Sequence, residues 1–367
     1  MKYLLIDGNN LAVRAAFSQD DLVNSQGIHV GCHYGTVTSL VYLKEQFPEH
    51  QFLLAWDGRS EHRLVMSREG VEKGIIPEAY KENRKKGETP APLVHFHEQS
   101  DFLKHGIHTL GIPQIWLPDH EADDIIASYC EILKDAEEVV LVTSDKDYLQ
   151  LLRDNIWIWD GMKAEKTTID RFRDEWGISP EQWVDVGALG GDNSDNIFSP
   201  PGWGEKTAVE VIREHKTWEK VVEYYSKCYE KLRKKYPDFR DLGSDWNKEF
   251  QDIVVNALTK KGTTVPKEQR TSSCYVFPGV YYEMPWTGVA YAFQKGDIKM
   301  PKRHLMCLMY QERIELAYKL KAMKRDIPDL PQIPALELDK KRFGEYIDYY
   351  EMPTLHEKAG IFFEEKK

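Results

Sequence analysis

Short apolar runs separated by longer segments of helical periodicity organise this chain. Tyr3-Leu4-Leu5-Ile6 closes on Asp7, followed by Gly8-Asn9-Asn10 and a helical pattern through Leu11, Ala15 and Phe17. Phe52-Leu53-Leu54-Ala55-Trp56 closes on Asp57-Gly58, and Val139-Val140-Leu141-Val142 runs through Thr143-Ser144 to Asp145. Further short runs at 112–117 and 156–159 alternate with helical stretches. Runs of this kind have no polar face, so they belong inside a sheet covered on both sides. The pattern predicts an α/β fold with a mostly parallel central sheet flanked by helices. In such sheets ligands gather at the carboxyl ends of strands, where Asp7, Asp57 and Asp145 fall, with Asp147 two residues further on.

The segment Pro118-Asp119-His120-Glu121-Ala122-Asp123-Asp124-Ile125-Ile126-Ala127-Ser128 crowds carboxylates into the first turn of an apolar helix. Two like charges about 4 Å apart repel by roughly 4 kcal/mol at an effective dielectric near 20. The helix dipole returns only about 0.3–1 kcal/mol per acid. At helical spacing Glu121 and Asp124 fall on neighbouring faces, while Ile125, Tyr129, Ile132 and Leu133 form the stripe expected to bury. Taken alone, the cluster admits both helix capping and metal binding. Acids delivered to one sheet edge by several strands favour the second.

Two other stretches carry positive charge or open backbone. After Asp57 come Arg59, Arg63, Arg68, Lys73, Lys81, Arg84, Lys85 and Lys86, with Tyr80 among them. This reads either as a solvated helical excursion or as basic side chains that hold a phosphate backbone. Further on, 178–214 reads as helix, loop, helix: Gly190-Gly191-Asp192-Asn193-Ser194-Asp195-Asn196 cannot continue a helix, and Pro200-Pro201-Gly202-Trp203-Gly204 turns before Glu205-Lys206-Thr207-Ala208 starts another. Glycines at a helix N-terminus leave N–H groups open to a phosphate, with Lys206 and Thr207 as further donors.

Composition narrows the class. The 367 residues are 41% hydrophobic, enough for one large domain or two ordinary ones. No apolar run approaches the roughly 20 residues that span a bilayer, so a soluble, cytoplasmic protein without membrane contact is expected. The 5 cysteines are scattered, without metal-site or disulfide spacing. A net charge of −11 argues against nucleic acid only if evenly spread; acids gathered around cations would themselves account for much of it.

Taken in order, Asp7-Gly8-Asn9-Asn10 with Arg14-Ala15, Asp57-Gly58-Arg59, Tyr80-Lys81-Glu82-Asn83-Arg84, Glu121-Ala122-Asp123-Asp124, Thr143-Ser144-Asp145-Lys146-Asp147, Gly191-Asp192-Asn193-Ser194-Asp195-Asn196 and Gly202-Trp203-Gly204-Glu205-Lys206-Thr207-Ala208 resemble the 5′ nuclease family. That family comprises phage 5′→3′ exonucleases, the nuclease domain of bacterial DNA polymerase I and, more distantly, flap endonucleases. The resemblance covers residues 1–222 and resumes near 306 with Arg313-Ile314-Glu315-Leu316-Ala317-Tyr318-Lys319-Leu320. It implies a PIN-like nuclease core at 1–160 with a helical arch at 59–90, a helix–three-turn–helix region at 161–222, and a return to the core at 306–367. The stretch 223–305 has no counterpart and reads as an insertion, aromatic around 277–293, that could serve as a surface for a polymerase or single-strand-binding protein. Two departures stand out: Asn193 replaces a small hydroxyl residue, and Phe198-Ser199-Pro200-Pro201 replaces a shorter turn. Trp203 is expected to pack on its own helices.

Carried over residue by residue, Asp7, Asp57, Glu121, Asp123, Asp124, Asp145, Asp147, Asp192 and Asp195 match the family's acidic metal site. Lys81 and Arg84 match basic arch residues, and Arg14 a phosphate-steering arginine. Gly202, Gly204, Lys206 and Thr207 match the grip on duplex DNA, with Tyr80 as a further DNA contact. The resemblance implies a monomeric phage or bacterial enzyme that cuts DNA near 5′ ends, flaps or nicks, including RNA–DNA hybrids, in replication or repair. Oxygen-only ligands suit Mg2+ or Mn2+, and two ions about 4 Å apart would activate water and stabilise the leaving oxygen. A potassium ion at the helix–three-turn–helix turn is a further family feature. The rival readings are a non-catalytic branched-DNA-binding protein and a PIN-type ribonuclease, which should lack the Asp192–Thr207 grip.

Overall fold

A computed structural model describes residues 1–200, 202–235, 307–308, 310–334 and 336–363. The aromatic insertion expected within 223–305 lies outside the described residues beyond Lys235. Strands β1 (Lys2–Asp7), β2 (Gln51–Trp56), β3 (Gln114–Trp116), β4 (Glu138–Val142), β5 (Ile156–Asp160) and β6 (Glu165–Thr167) form one sheet in the order β3-β2-β1-β4-β5-β6. All pairs are parallel except β5–β6, so the expected mostly parallel sheet is present. The antiparallel edge strand β6 was not expected. It is short and polar, and Lys166 lies over the Trp157 ring at 3.9 Å, a contact that apolar periodicity cannot signal.

In chain order the helices are α1 (Gly8–Ser18), α2 (Gly31–Gln46), α3 (Glu61–Glu72), α4 (Ala91–Thr109), α5 (Ala122–Ile132), α6 (Ile169–Trp176), α7 (Trp183–Gly190), α8 (Glu205–His215), α9 (Trp218–Lys235), α10 (Gln311–Lys321) and α11 (Lys340–Tyr349), before two short turns at Thr354–Lys358 and Gly360–Phe363. The chain forms two compact units: Met1–His62 with Arg84–Glu181 and Met323–Lys367, and Arg63–Asn83 with Gln182–Ala322. The arch segment therefore groups largely with the region expected to grip DNA. It holds one α-helix, α3, and a 3-10 turn at Glu82–Lys85.

In the first unit, alternation along the strands sends side chains to both faces. Leu4, Ile6, Leu54, Trp56, Val140 and Val142 share one core with α1, α2, α4 and, from the far end of the chain, Phe343, Tyr346, Ile347 and Phe362. Helix α5 packs against β1 and β2, over the face that carries Leu5 and Leu53. It is buried on nearly every side from Ala122 to Cys130, rather than along one stripe. The expected stripe residue Ile132 is exposed, because it ends the helix at the surface.

In the second unit α10 packs on α7, and α7 on α8 and α9. Gly70 of α3 lies against Leu316, and the Arg313 guanidinium donates to the Ile75 carbonyl at 3.1 Å. Trp203 is buried as expected.

Candidate metal centre

Because β3, β2, β1 and β4 run parallel, their carboxyl ends share one edge, and the strand order reverses between β1 and β4, where such sheets bind ligands. Asp7 ends β1 and caps α1, its Oδ1 accepting from the Asn10 amide at 2.9 Å. Asp57 follows β2 and caps α5 from a distance, its Oδ1 accepting from the Ala122 amide at 2.9 Å. Asp145 follows β4 and accepts from the Asp147 amide at 2.8 Å. Asp123 stands in the first turn of α5. Each of the first three is thus a cap, yet capping does not disperse them.

Electrostatics shows how close these groups come. Burial lifts the Asp7 carboxyl well above the usual carboxylate range, and the charges of Asp57, Asp145 and Asp123 lift it further against the Asn10 amide. The Tyr148 hydroxyl donates to Asp7 Oδ2 at 3.2 Å and is pushed far up by burial and then by Asp7, Asp123, Asp145 and Asp57. Asp7 and Asp123 are half-buried and Asp57 and Asp145 exposed; carboxylates that repel one another at an accessible edge, with oxygen-only donors, fit a hard divalent cation.

Local sequence builds this arrangement. Gly8 has no room for a side chain: a Cβ would lie 2.9 Å from the Ala55 carbonyl and from the Trp56 ring. At Gly58 a Cβ would reach 2.0 Å from the Leu117 carbonyl. There the chain zips onto the loop before α5, Gly58 donating to His120 at 2.8 Å and Arg59 to Pro118 at 2.7 Å, which brings Asp57 to the start of α5. Asn9 accepts from the Asp57 amide at 3.0 Å, and Asn10 accepts from the Ser144 hydroxyl at 3.2 Å. Asn9, Asn10 and Tyr148 thus position the acids, and the signal for them in the sequence is their adjacency to Asp7 and Asp147.

The remaining expected ligands of this unit are placed differently. Glu121 is the buried residue preceding α5, and Asp124 is fully buried, with Oδ1 accepting from the Lys324 amide at 2.7 Å. One Asp124 oxygen is therefore committed to the returning C-terminal segment. Asp147 is half-buried in the 3-10 turn Lys146–Leu151. Arg14, one helical turn past Asn10, contacts its Oδ1 at 3.3 Å and faces Asp160 at 4.0 Å. Arg84 is exposed on its 3-10 turn.

The expected site residues of the second unit find protein partners. Asp192 accepts from the Lys321 ammonium at 2.7 Å and from the Ser194 amide and hydroxyl at 2.8 and 2.6 Å. A lysine from α10, which no sequence signal announced, meets this expected metal carboxylate. Burial would raise the Asp192 carboxyl, but Lys321 and Ser194 outweigh it and bring it down to about 2. Asp195 is held by Tyr80 and Lys81. Tyr80, expected as a DNA contact, is buried, and its hydroxyl donates to Asp195 at 3.2 Å. Gly202 adopts the left-handed conformation (φ 84°), Gly204 precedes α8 without a side-chain cap, Lys206 is exposed and Thr207 half-buried.

Two family models match the chain one after the other between residues 2 and 257. The model of a 5'-3' exonuclease N-terminal resolvase-like domain matches residues 2–177, and that of a 5'-3' exonuclease C-terminal SAM fold matches 178–257. A 5'-3' exonuclease of Bacillus subtilis is 32% identical over 234 residues, covering 61% of this chain and 74% of its own. DNA polymerase I of the same organism is 33% identical over 263 residues, 70% of this chain; the chain spans 28% of that polymerase's length. Among solved structures, a bacteriophage T5 flap endonuclease in a complex with DNA and metal ions superposes with a TM-score of 0.54 at 14% identity, over 99% of this chain and 98% of that one, a likeness of fold. No helix among the described residues is long and apolar enough to cross a membrane. With the matched domains in sequence order and a relative covered over most of its length, the chain belongs to the 5'-3' exonuclease family.

Proposed function

We propose that this protein is a divalent-metal-dependent nuclease that hydrolyses DNA phosphodiesters next to 5′ ends, flaps or nicks, as flap or RNA-primer removal in replication or repair requires. The observation that carries the reading is the shared sheet edge: Asp7 ends β1 between β2 and β4, which Asp57 and Asp145 follow, and Asp57 accepts the Ala122 amide at the start of α5 beside Asp123, so that their charges act together on Asp7. Asp7, Asp57, Asp123 and Asp145 would hold Mg2+ or Mn2+, with Glu121, Asp124 and Asp147 bordering them. When bound, such ions activate the attacking water and stabilise the leaving 3′ oxygen. Lys81 and Arg84 neutralise charge that develops on the phosphate, and Arg14 steers the strand. The open N–H groups after Gly204, with Lys206 and Thr207, hold the duplex backbone without reading sequence.

The test is cleavage of 5′-labelled flap, nicked and single-stranded DNA with Mg2+, with EDTA, and by the Asp145→Asn variant. Short 5′ products from the branched substrates, lost with EDTA and reduced at least a thousandfold in the variant, support the reading. Intact DNA that is still bound would favour a non-catalytic branch-binding role; cleavage restricted to single-stranded RNA would favour a PIN-type ribonuclease.

A further inference from the structure

Away from the acidic edge, the first unit brings an aspartate and two histidines from three segments to one point. Asp20 lies two residues past the end of α1, His29 two residues before α2, and His95 in the second turn of α4. His95 Nδ1 lies 3.0 Å from Asp20 Oδ1. His29 Nδ1 lies 3.7 Å from the same oxygen and 2.8 Å from the Asp20 carbonyl. The two imidazoles stack, with 3.8 Å between centres and 17° between planes. All three side chains are half-buried, so the group stays accessible from solvent.

Local sequence fixes these donors. Asp20 and His29 bracket a closed turn in which the Asn24 amide donates to the Ile28 carbonyl at 3.0 Å, while Asn24 Oδ1 accepts from the Gln26 and Ile28 amides at 3.1 and 2.9 Å. Gly27 supplies a φ of 80° at the bend. Val23 and His29 pair antiparallel, and the Val30 amide reaches the Leu22 carbonyl at 2.8 Å. At the tip the Ser25 amide donates to Glu351 at 2.7 Å. His95 is fixed from the other side, because the next residue, Phe96, is buried in the core.

Imidazole nitrogens combined with a carboxylate suit a borderline cation such as Zn2+, whereas the oxygen-only edge suits Mg2+ or Mn2+. Tetrahedral Zn2+ with bonds of about 2.0–2.2 Å sets its ligand atoms about 3.3–3.5 Å apart. The separations of 3.0 and 3.7 Å bracket that value, and the three donors all lie within 4.8 Å of one another. Near-parallel rings point their nitrogens side by side, so binding tilts one ring and exchanges the His29 bond to the Asp20 carbonyl for a bond to the ion. Three protein donors leave a fourth position for water. We infer that Asp20, His29 and His95 form a Zn2+-type site that ties the turn between α1 and α2 to α4, separate from the acidic edge in both place and donor chemistry.

The experiment titrates the full-length protein with Zn2+ by calorimetry in saturating Mg2+, which keeps the oxygen-only edge filled, and repeats it with His29→Asn, His95→Asn and Asp145→Asn. Asparagine keeps a hydrogen-bond donor near the Nδ1 position but is a poor metal ligand. Wild type and Asp145→Asn should each bind one more Zn2+ than either histidine variant. Zn2+ should also raise the Tm of wild type by more than that of either histidine variant. Co2+ in place of Zn2+ should give wild type the intense visible absorption of a four-coordinate ion, lost in both histidine variants; an octahedral oxygen-only site gives only a weak band. Equal Zn2+ counts in wild type and both histidine variants would overturn the inference and leave Asp20 as a hydrogen-bonding partner of the two rings. So would the absence of a four-coordinate Co2+ spectrum in wild type, a result that does not depend on how the variants fold.

Discussion

The two units place the same side chain, aspartate, in opposite electrostatic settings. In the first, Asp7, Asp57, Asp123 and Asp145 face one another, and burial with mutual repulsion lifts the Asp7 carboxyl. In the second, Asp192 faces the Lys321 ammonium, and the same burial is outweighed so that its carboxyl falls to about 2. The first arrangement stores repulsion that a cation can relieve; the second has its cation built in. The pH dependence has opposite sign in the two. A carboxyl raised by folding favours the folded state when protonated, so the metal-free first unit loses stability as pH rises through the carboxylate range. Asp192, lowered from 3.8 to about 2, contributes stability that is complete above pH 3.8 and is lost as pH falls toward 2.

Four substitutions sharpen or break this contrast. The largest effect belongs to Asp145→Asn, which keeps the cap on the Asp147 amide but removes a charge from the cation-gathering set; cleavage should fall at least a thousandfold, about 4 kcal/mol of barrier, in a single-turnover assay. Next is Asp192→Asn, which leaves the Lys321 ammonium buried beside a neutral amide. Urea denaturation at pH 7 should show a loss of about 3 kcal/mol, and an unchanged midpoint would mean that the pair is not a structural element. The third uses Asp185, where burial pushes the carboxyl up to about 6 although it accepts the Trp218 amide at 2.8 Å. Between pH 3.8 and 6 the unfolded chain gives up this proton before the folded one does, so stability should fall across that window. Asp185→Asn should abolish the fall and gain about 2 kcal/mol at pH 7. The smallest is Gly8→Ala, whose methyl would meet the Ala55 carbonyl and Trp56 ring at 2.9 Å; a loss of about 1–2 kcal/mol should come with reduced cleavage, since Asp7 moves with Gly8.

What the sequence disclosed follows from which interactions are local. The apolar runs ending at Asp7, Asp57 and Asp145 were legible because a buried parallel strand needs a continuous apolar run, and the shared edge follows from parallel topology. The cap at Asp7 is three residues long and equally visible. Contacts between distant segments were not: Asp57 capping α5 through Ala122, Asp124 holding the Lys324 amide, and Lys321 reaching Asp192 all join residues whose pairing only the folded chain reveals. Lys321 in particular sits at the end of an amphipathic helix among other lysines, and nothing in the sequence separates a buried ammonium from a solvated one. The left-handed backbone at Lys81 (φ 56°) was equally silent, since no glycine or asparagine stands there to announce the turn.

The most direct test of the central claim, that distant aspartates converge on one cation-binding edge, is urea denaturation of wild type and Asp7→Asn at pH 8, in EDTA and in saturating Mg2+. Asparagine retains an acceptor for the Asn10 amide, and its Nδ2 can donate to the Tyr148 hydroxyl oxygen instead of accepting from it, so the charge is removed while the shape is kept. If the carboxylates converge, the variant is more stable than wild type in EDTA, and Mg2+ reverses the order by stabilising wild type, by about 2.7 kcal/mol at a hundred times its Kd. A variant that is equally or less stable in EDTA, with no differential response to Mg2+, would contradict the account.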